Sequence, residues 1–239
     1  MAAWLTSDMP SDTLVGLDLG QSLPFVDRGA FFPGWERSPP DARALWRLVD
    51  ALCARDPHLA ACSFVDHADA AEHFRRHGGR KGRWFEGRGR LRATEQAQRL
   101  QGLNPYSNLN LVGAAQVGKS SLTGMRVLHR IGAELPIWPI DPAPRSGSCV
   151  VEIYTSIAAI AAGRTKGRTK IRDGAALDSA LAALGSEPFG HDGPIDDHRS
   201  DALLTAAWLR AHARRAELWN PPTLTPDIAR TEGWTFGVT

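Results

Sequence analysis

The sequence predicts an α/β fold on three observations. Short apolar runs of strand length occur at residues 13–19 and 149–154, and the second is rich in β-branched residues. Apolar residues at helical spacing mark residues 45–52, 121–131, 175–184 and 196–215. The two kinds of segment alternate, as they do in layered α/β proteins.

In chain order, residues 13–19 read as a buried strand closed by Gly20 and carrying one acid, Asp18. Residues 25–32 read as a return strand, with a turn near Asp27, Arg28 and Gly29. Ser38-Pro-Pro-Asp41 opens a helix whose apolar face is Leu45, Leu48, Val49 and Leu52. Residues 60–65 read as a further strand ending at Asp66 and His67, followed by a short helix over 68–77. Residues 108–112 read as a strand and 121–131 as a helix. The strand at 149–154 contains Glu152, and the helix from Asp196 to about residue 215 contains Asp197 and Asp201.

The chain has 239 residues, 43% of them hydrophobic and 23% charged, which excludes a disordered tail, a collagen-like repeat and a coiled coil. Its formal charge of +2 excludes a polycation, so a nucleic-acid site has to come from local clustering. Cys53, Cys62 and Cys149 lack the paired spacing of a disulfide framework or a cysteine zinc site. No apolar run reaches the ~18 residues of a membrane span. The start of the chain has no basic segment leading into an apolar one. The expectation is a protein of the cytoplasm without a membrane partner.

Three acids stand out by placement. Asp18 and Glu152 each interrupt an apolar strand, and Asp201 lies near a helix start, one turn after Asp197. A charge inside an apolar strand costs several kcal/mol unless it is paired or metal-bound. If the two strands are neighbours and the helix packs beside them, three carboxylates converge. One or two divalent cations would relieve their repulsion, and oxygen-only ligands suit Mg²⁺ or Mn²⁺. Such ions activate water and stabilise the leaving oxygen of a phosphodiester. The alternative is that each acid caps an element and faces water.

These residues carry a resemblance. Gly16-Leu-Asp18, Val150-Val-Glu152-Ile-Tyr and Asp201-Ala-Leu-Leu-Thr-Ala-Ala occur in the order found in the RNase H-like superfamily. More closely, the chain resembles a bacterial family of predicted RNase H-like nucleases, a domain of unknown function. Phe64-Val-Asp66, Arg92-Ala-Thr-Glu95, the glycine-rich stretch over 112–125, Trp138-Pro-Ile-Asp141 and the terminal Glu232-Gly-Trp look like that family's motifs. Thr155 stands where the family usually has proline. The resemblance implies a single domain over 1–239, with a mixed central sheet flanked by helices. Residues 1–12 would be an N-terminal tail and 78–91 a basic glycine-rich loop insertion. It also implies Asp18, Glu152 and Asp201 as metal-binding catalytic carboxylates, with Asp66, Asp197 or Glu95 as additions.

A second motif competes. Gly113-Ala-Ala-Gln-Val-Gly118-Lys119-Ser120 satisfies the pattern of a phosphate-binding P-loop in full. Gly113 and Gly118 would shape the turn, Lys119 would meet phosphate, and Ser120 would meet magnesium. That reading makes the chain a nucleotide-binding hydrolase or kinase. Against it, more than 100 residues precede the motif, and residues 135–141 carry two prolines where a central partner strand is needed.

From His73 to Arg99 there are nine Arg or Lys residues against two acids. Trp84 and Phe85 interrupt the run, in a pattern suited to phosphates and unpaired bases. Arg164, Lys166, Arg168, Lys170 and Arg172 alternate, so an extended segment would present them on one face. Arg92, Lys119, Lys166 and Lys170 are the expected contacts to substrate phosphate, and His198 is a minor candidate for product release. The partner expected is DNA or RNA, and a catalytically silent binding module remains an alternative.

Overall fold

The computed structural model describes residues 2–113, 116–165 and 169–239. Three short strands, β1 (Leu14–Leu17), β2 (Ile137–Trp138) and β3 (Cys149–Glu152), form one sheet in the order β1-β3-β2. Both pairings are parallel, with Leu17 opposite Glu152 and Ile137 opposite Val150. Strand side chains alternate between faces, and here the alternation separates two cores. Val15, Leu17, Ile137 and Val150 join one apolar cluster, while Leu14, Trp138, Cys149 and Val151 join the other. A parallel sheet covered on both faces explains why these strands read as continuous apolar runs.

The helices divide between the faces. The first face is covered by α1 (Ala42–Leu52), two single turns α2 (Cys62–Val65) and α3 (Ala68–Ala71), and later α5 (Val117–Ile131). The Asp41 carboxylate caps α1 by accepting from the Ala44 N–H at 2.8 Å. Leu45, Trp46 and Val49 of α1 are buried, as are Leu122, Met125 and Leu128 of α5. Between them in the chain lies α4 (Ala93–Leu100), which starts at the site described below. The second face is covered by α6 (Thr155–Ala161), α7 (Gly174–Ala183) and α8 (Asp197–His212). Two short helices, α9 (Ala216–Trp219) and α10 (Pro226–Thr231), lead to the C-terminus. No helix among the described residues is long and apolar enough to cross a membrane.

The α/β layering is as expected, but the described strands form a parallel rather than a mixed sheet. Residues 25–32, expected to run back as a strand, are a series of turns. Side chains satisfy their backbone: Glu232 accepts from the N–H groups of Phe25 and Val26, and Arg90 donates to the carbonyls of Ala30 and Phe31. Residues 62–65 form α2 rather than a strand, sending Phe64 into the core. Residues 108–112 are irregular, with one bridge from Asn110 to Arg75. Of the tail expected over 1–12, Trp4–Asp8 wind into a π-helical turn that buries Leu5.

The glycine-rich loop also differs from a free insertion. A Cβ on Gly82 would lie 2.2 Å from the Glu72 carbonyl carbon, so that glycine permits close backbone contact. Arg90 is fixed by Asp27 at 2.6 Å, which ties the end of the loop to the body.

Candidate functional site

Parallel strands place their carboxyl ends on one edge, and the two strand acids lie there. Asp18 follows the last residue of β1, and Glu152 is the last residue of β3, in register with Leu17. Helix α8 brings Asp201 to the same edge. It approaches β1 closely at Gly16, where a Cβ would lie 2.8 Å from Leu209 Cδ1. Asp18, Asp201 and His198 line a cleft of about 540 Å³ with Gly16 and Thr155.

Asp18 is an exposed residue that lines this cleft, with its carboxyl set back against Asp201 and Glu152. Burial, then the charges of Asp201 and Glu152, push its carboxyl from 3.8 up to about 6. Lys170 and His198 act in the opposite direction. No hydrogen bond to the Asp18 carboxylate forms among the described residues. Asp201 is partly exposed and forms an ion pair with the exposed ammonium of Lys170.

Glu152 is in a different state. Its Oε1 accepts from Arg92 Nη2 and from the Thr235 hydroxyl, both at 2.6 Å. Its Oε2 accepts from Arg92 Nη1 at 2.8 Å and from the Gln21 N–H at 2.7 Å. Those four contacts fill the acceptor sites of a carboxylate. The Arg92 guanidinium is 1% exposed and also binds Glu95 at 2.5 Å. Burial works against its charge, but Glu152 and Glu95 outweigh that and hold it firmly cationic. Glu95 is fully buried, and burial raises its carboxyl despite the opposing effect of Arg92. Glu95 also accepts from the Arg92 N–H at 2.8 Å, capping α4 from its third residue.

No family model, curated protein or solved structure matches this chain.

Asp18, Glu152, Asp201 and Lys170 therefore come together, with Arg92 and Glu95 directly behind Glu152. Arg92 corrects the expectation of a substrate-phosphate contact, because its donors are spent on two carboxylates and the Glu232 carbonyl. Asp66 is exposed and pairs with Arg76 at 3.4 Å, remote in its contacts from the strand acids. Asp197 pairs with Arg172 at 2.9 Å, and that hydrogen bond holds its carboxyl below the usual range. Lys166 lies outside the described residues. Among those residues no group of three or more acidic, histidine or cysteine side chains is arranged to hold a metal.

The P-loop-like segment starts α5 beside Asp18, with Ser120 and Ser121 lining a narrower cavity of about 160 Å³ shared with Asp18 and Glu152. Residues 114 and 115 lie outside the described residues. Among the described residues no strand leads directly into the segment, since α4 is the element before α5. The Gly118 N–H donates to the Asn110 carbonyl at 3.1 Å. A Cβ on Gly118 would lie 2.2 Å from the Asn108 carbonyl oxygen, which accounts for this glycine by packing. Lys119 and Ser120 are exposed, and Ser120 donates to the Val117 carbonyl.

In the sequence Glu232 stands out only within a terminal motif, with no role, and Thr235 and Gln98 do not stand out. Glu232 is fully buried, accepting from Phe25, Val26 and Ala93 backbone N–H groups. Gln98 donates to the Thr235 hydroxyl, which in turn donates to Glu152. An acid inside the apolar C-terminal stretch was the available signal.

Proposed function

We propose that the chain hydrolyses nucleic-acid phosphodiesters with a divalent cation held at the Asp18 cleft. The observation that carries this is the Asp18 carboxylate itself. It opens on the cleft with no hydrogen-bond donor among the described residues and is crowded by Asp201 and Glu152. The order of its motifs, similar to that of RNase H-like nucleases, supports the same reading.

The donor set fits one ion better than two. Mg²⁺ is commonly held by one or two carboxylates and keeps several waters. Asp18 and Asp201 supply such a pair, because the exposed Lys170 can leave Asp201 without burying a charge. Glu152 has no free acceptor while Arg92 holds it, so its part is to fix negative charge behind Asp18. The bound ion would lower the pKa of a water and neutralise charge on the phosphate. Lys170, displaced from Asp201, would meet a phosphate oxygen. With Asp18 bound to the ion, the proton that the attacking water loses would pass to solvent through the open cleft. Water then forms the new P–O bond as the bond to the departing sugar oxygen breaks.

The saturation of Glu152 favours a second reading, a nucleic-acid-binding module without turnover. One experiment separates them. Labelled DNA, RNA, hybrid and branched substrates are incubated with Mg²⁺, Mn²⁺ or chelator, using wild type, Asp18→Asn and Lys119→Ala. Cutting that needs metal, is lost in Asp18→Asn and persists in Lys119→Ala supports hydrolysis at this cleft. Binding without cutting on every substrate selects the module.

A further inference from the structure

A second concavity, of about 330 Å³, borders the site and has no part in the hydrolysis reading. Arg75, Lys81, Arg88, Phe85, Tyr106 and Ser107 line it, and no acid does. Four other cations of the basic run are matched to acids, Arg76 to Asp66, Arg83 to Glu72, Arg90 to Asp27 and Arg92 to Glu95, whereas Arg80 and Arg99 lie outside the basin without such a partner among the described residues. Arg75, Lys81 and Arg88 have no such partner among the described residues. The Nε of Arg75 is buried without a hydrogen-bond acceptor, and a buried donor left in that state is costly.

The Arg75–Lys81 side of the basin is held in place by the fold. The Arg75 backbone is held by Leu109 and Leu111 on one side and bridges Lys81 on the other. The Lys81 ammonium sits 5.7 Å from the centroid of the Phe85 ring. Three cations without an acid partner among the described residues line one concavity, which favours an anion there.

Tyr106 connects this basin to the acids. It lines both the basin and the narrow cavity that contains Asp18 and Glu152, and it is 39% exposed. The aromatics expected from the sequence are not free. Trp84 stacks on His73 at 6.1 Å, and Phe85 is 6% exposed. An exposed ring between a cation basin and a carboxylate cleft suits a polyanion with unpaired bases.

We infer that the basin of Arg75, Lys81 and Arg88 holds a backbone phosphate of a single-stranded nucleic acid, with an adjacent base stacked on Tyr106. The inference rests on the proposed hydrolysis only for where the strand leads, namely the Asp18 cleft.

The test is fluorescence anisotropy with labelled 12-nucleotide strands, DNA and RNA, in chelator so that no cutting intervenes. Arg75→Ala and the exposed-site variant Lys81→Glu should each weaken binding. Removing Arg75 should flatten the slope of log affinity against log salt by about 0.7, the value for one single-strand phosphate contact. Arg47→Ala, an exposed cation on α1, should change neither. Tyr106→Ala should weaken binding about tenfold, and Tyr106→Phe should retain it. Equal effects from Arg75→Ala, Lys81→Glu and Arg47→Ala would overturn the basin. Equal affinity for duplex, or displacement by a mononucleotide as readily as by the strand, would overturn the single-strand assignment. Basin-dependent binding without any metal-dependent cutting leaves this inference standing and removes the hydrolysis reading. Cutting with binding indifferent to Arg75 and Lys81 does the reverse.

Discussion

Arg92 and Glu152 meet through two parallel N–H···O contacts of 2.6 and 2.8 Å, with the side chains 1% and 5% exposed. The fork of one guanidinium also reaches Glu95, so one cation serves two buried carboxylates. This arrangement joins α4 to the end of β3 and lines the narrow cavity that Asp18 shares.

Removing that cation leaves two buried carboxylates facing each other. Loss of one partner from a buried ion pair typically costs about 3–5 kcal/mol. Arg92→Met should therefore lower stability by about that amount in urea unfolding. Arg92→Lys should also be destabilising, because an ammonium cannot present the planar fork both acids use. A loss below about 1 kcal/mol for Arg92→Met would mean that the network does not hold the fold.

Asp18 gives a pH signature of defined sign. Its carboxyl is raised to about 6 in the folded chain from 3.8. Below about pH 4 it is protonated in both folded and unfolded states and contributes nothing. As pH rises from about 4 to 6, the unfolded chain releases the proton first, and the folded state loses stability. Above about pH 6 that cost is complete. Asp18→Asn should therefore match wild type at acid pH and exceed it at pH 7.5. Screening by the open cleft reduces the gain to the order of 1 kcal/mol. Melting curves of both proteins across pH 4–8 measure it, and a gain that persists unchanged at pH 4 would contradict this origin.

Divalent ions should stabilise the same protein in the same pH range. A cation binds the ionised carboxylate and competes with its proton. The rise in Tm produced by Mn²⁺ or Mg²⁺ should grow from pH 5 to pH 7 and level off above it. A concentration 100-fold over Kd would supply about 2.7 kcal/mol. Asp18→Asn should lose this response, and Asp66→Asn should keep it, because Asp66 pairs with Arg76 away from the cleft.

The sheet edge was legible because its signals are local. A lone acid closing an apolar run marks Asp18, and the dense β-branched segment marks Glu152. The caps of α1, α7 and α8 are the aspartates at 41, 173 and 196, each beginning a helix that periodicity predicts. What failed was set by distant partners. Residues 25–32 look like a strand, but Glu232 satisfies backbone groups there from more than 200 residues away. The state of Glu152 was equally invisible, since its donors Arg92 and Thr235 lie 60 and 83 residues from it. Composition identified the basic run, yet only packing showed which of its cations have acids beside them.

The P-loop-like motif allows a separation of packing from phosphate chemistry. Gly118 and Lys119 are adjacent but face different constraints. A methyl at position 118 would meet backbone oxygen of Asn108 at 2.2 Å, and backbone cannot give way as a side-chain end can. Gly118→Ala should therefore cost about 1–3 kcal/mol, the usual range for overpacking. Lys119 is exposed at the start of α5, and Lys119→Ala should change stability by no more than about 0.5 kcal/mol. Neither variant should alter ATP affinity if packing alone explains the glycine. Isothermal titration with Mg-ATP decides it: wild-type binding that disappears in Lys119→Ala would establish a nucleotide site at α5 in place of the packing account.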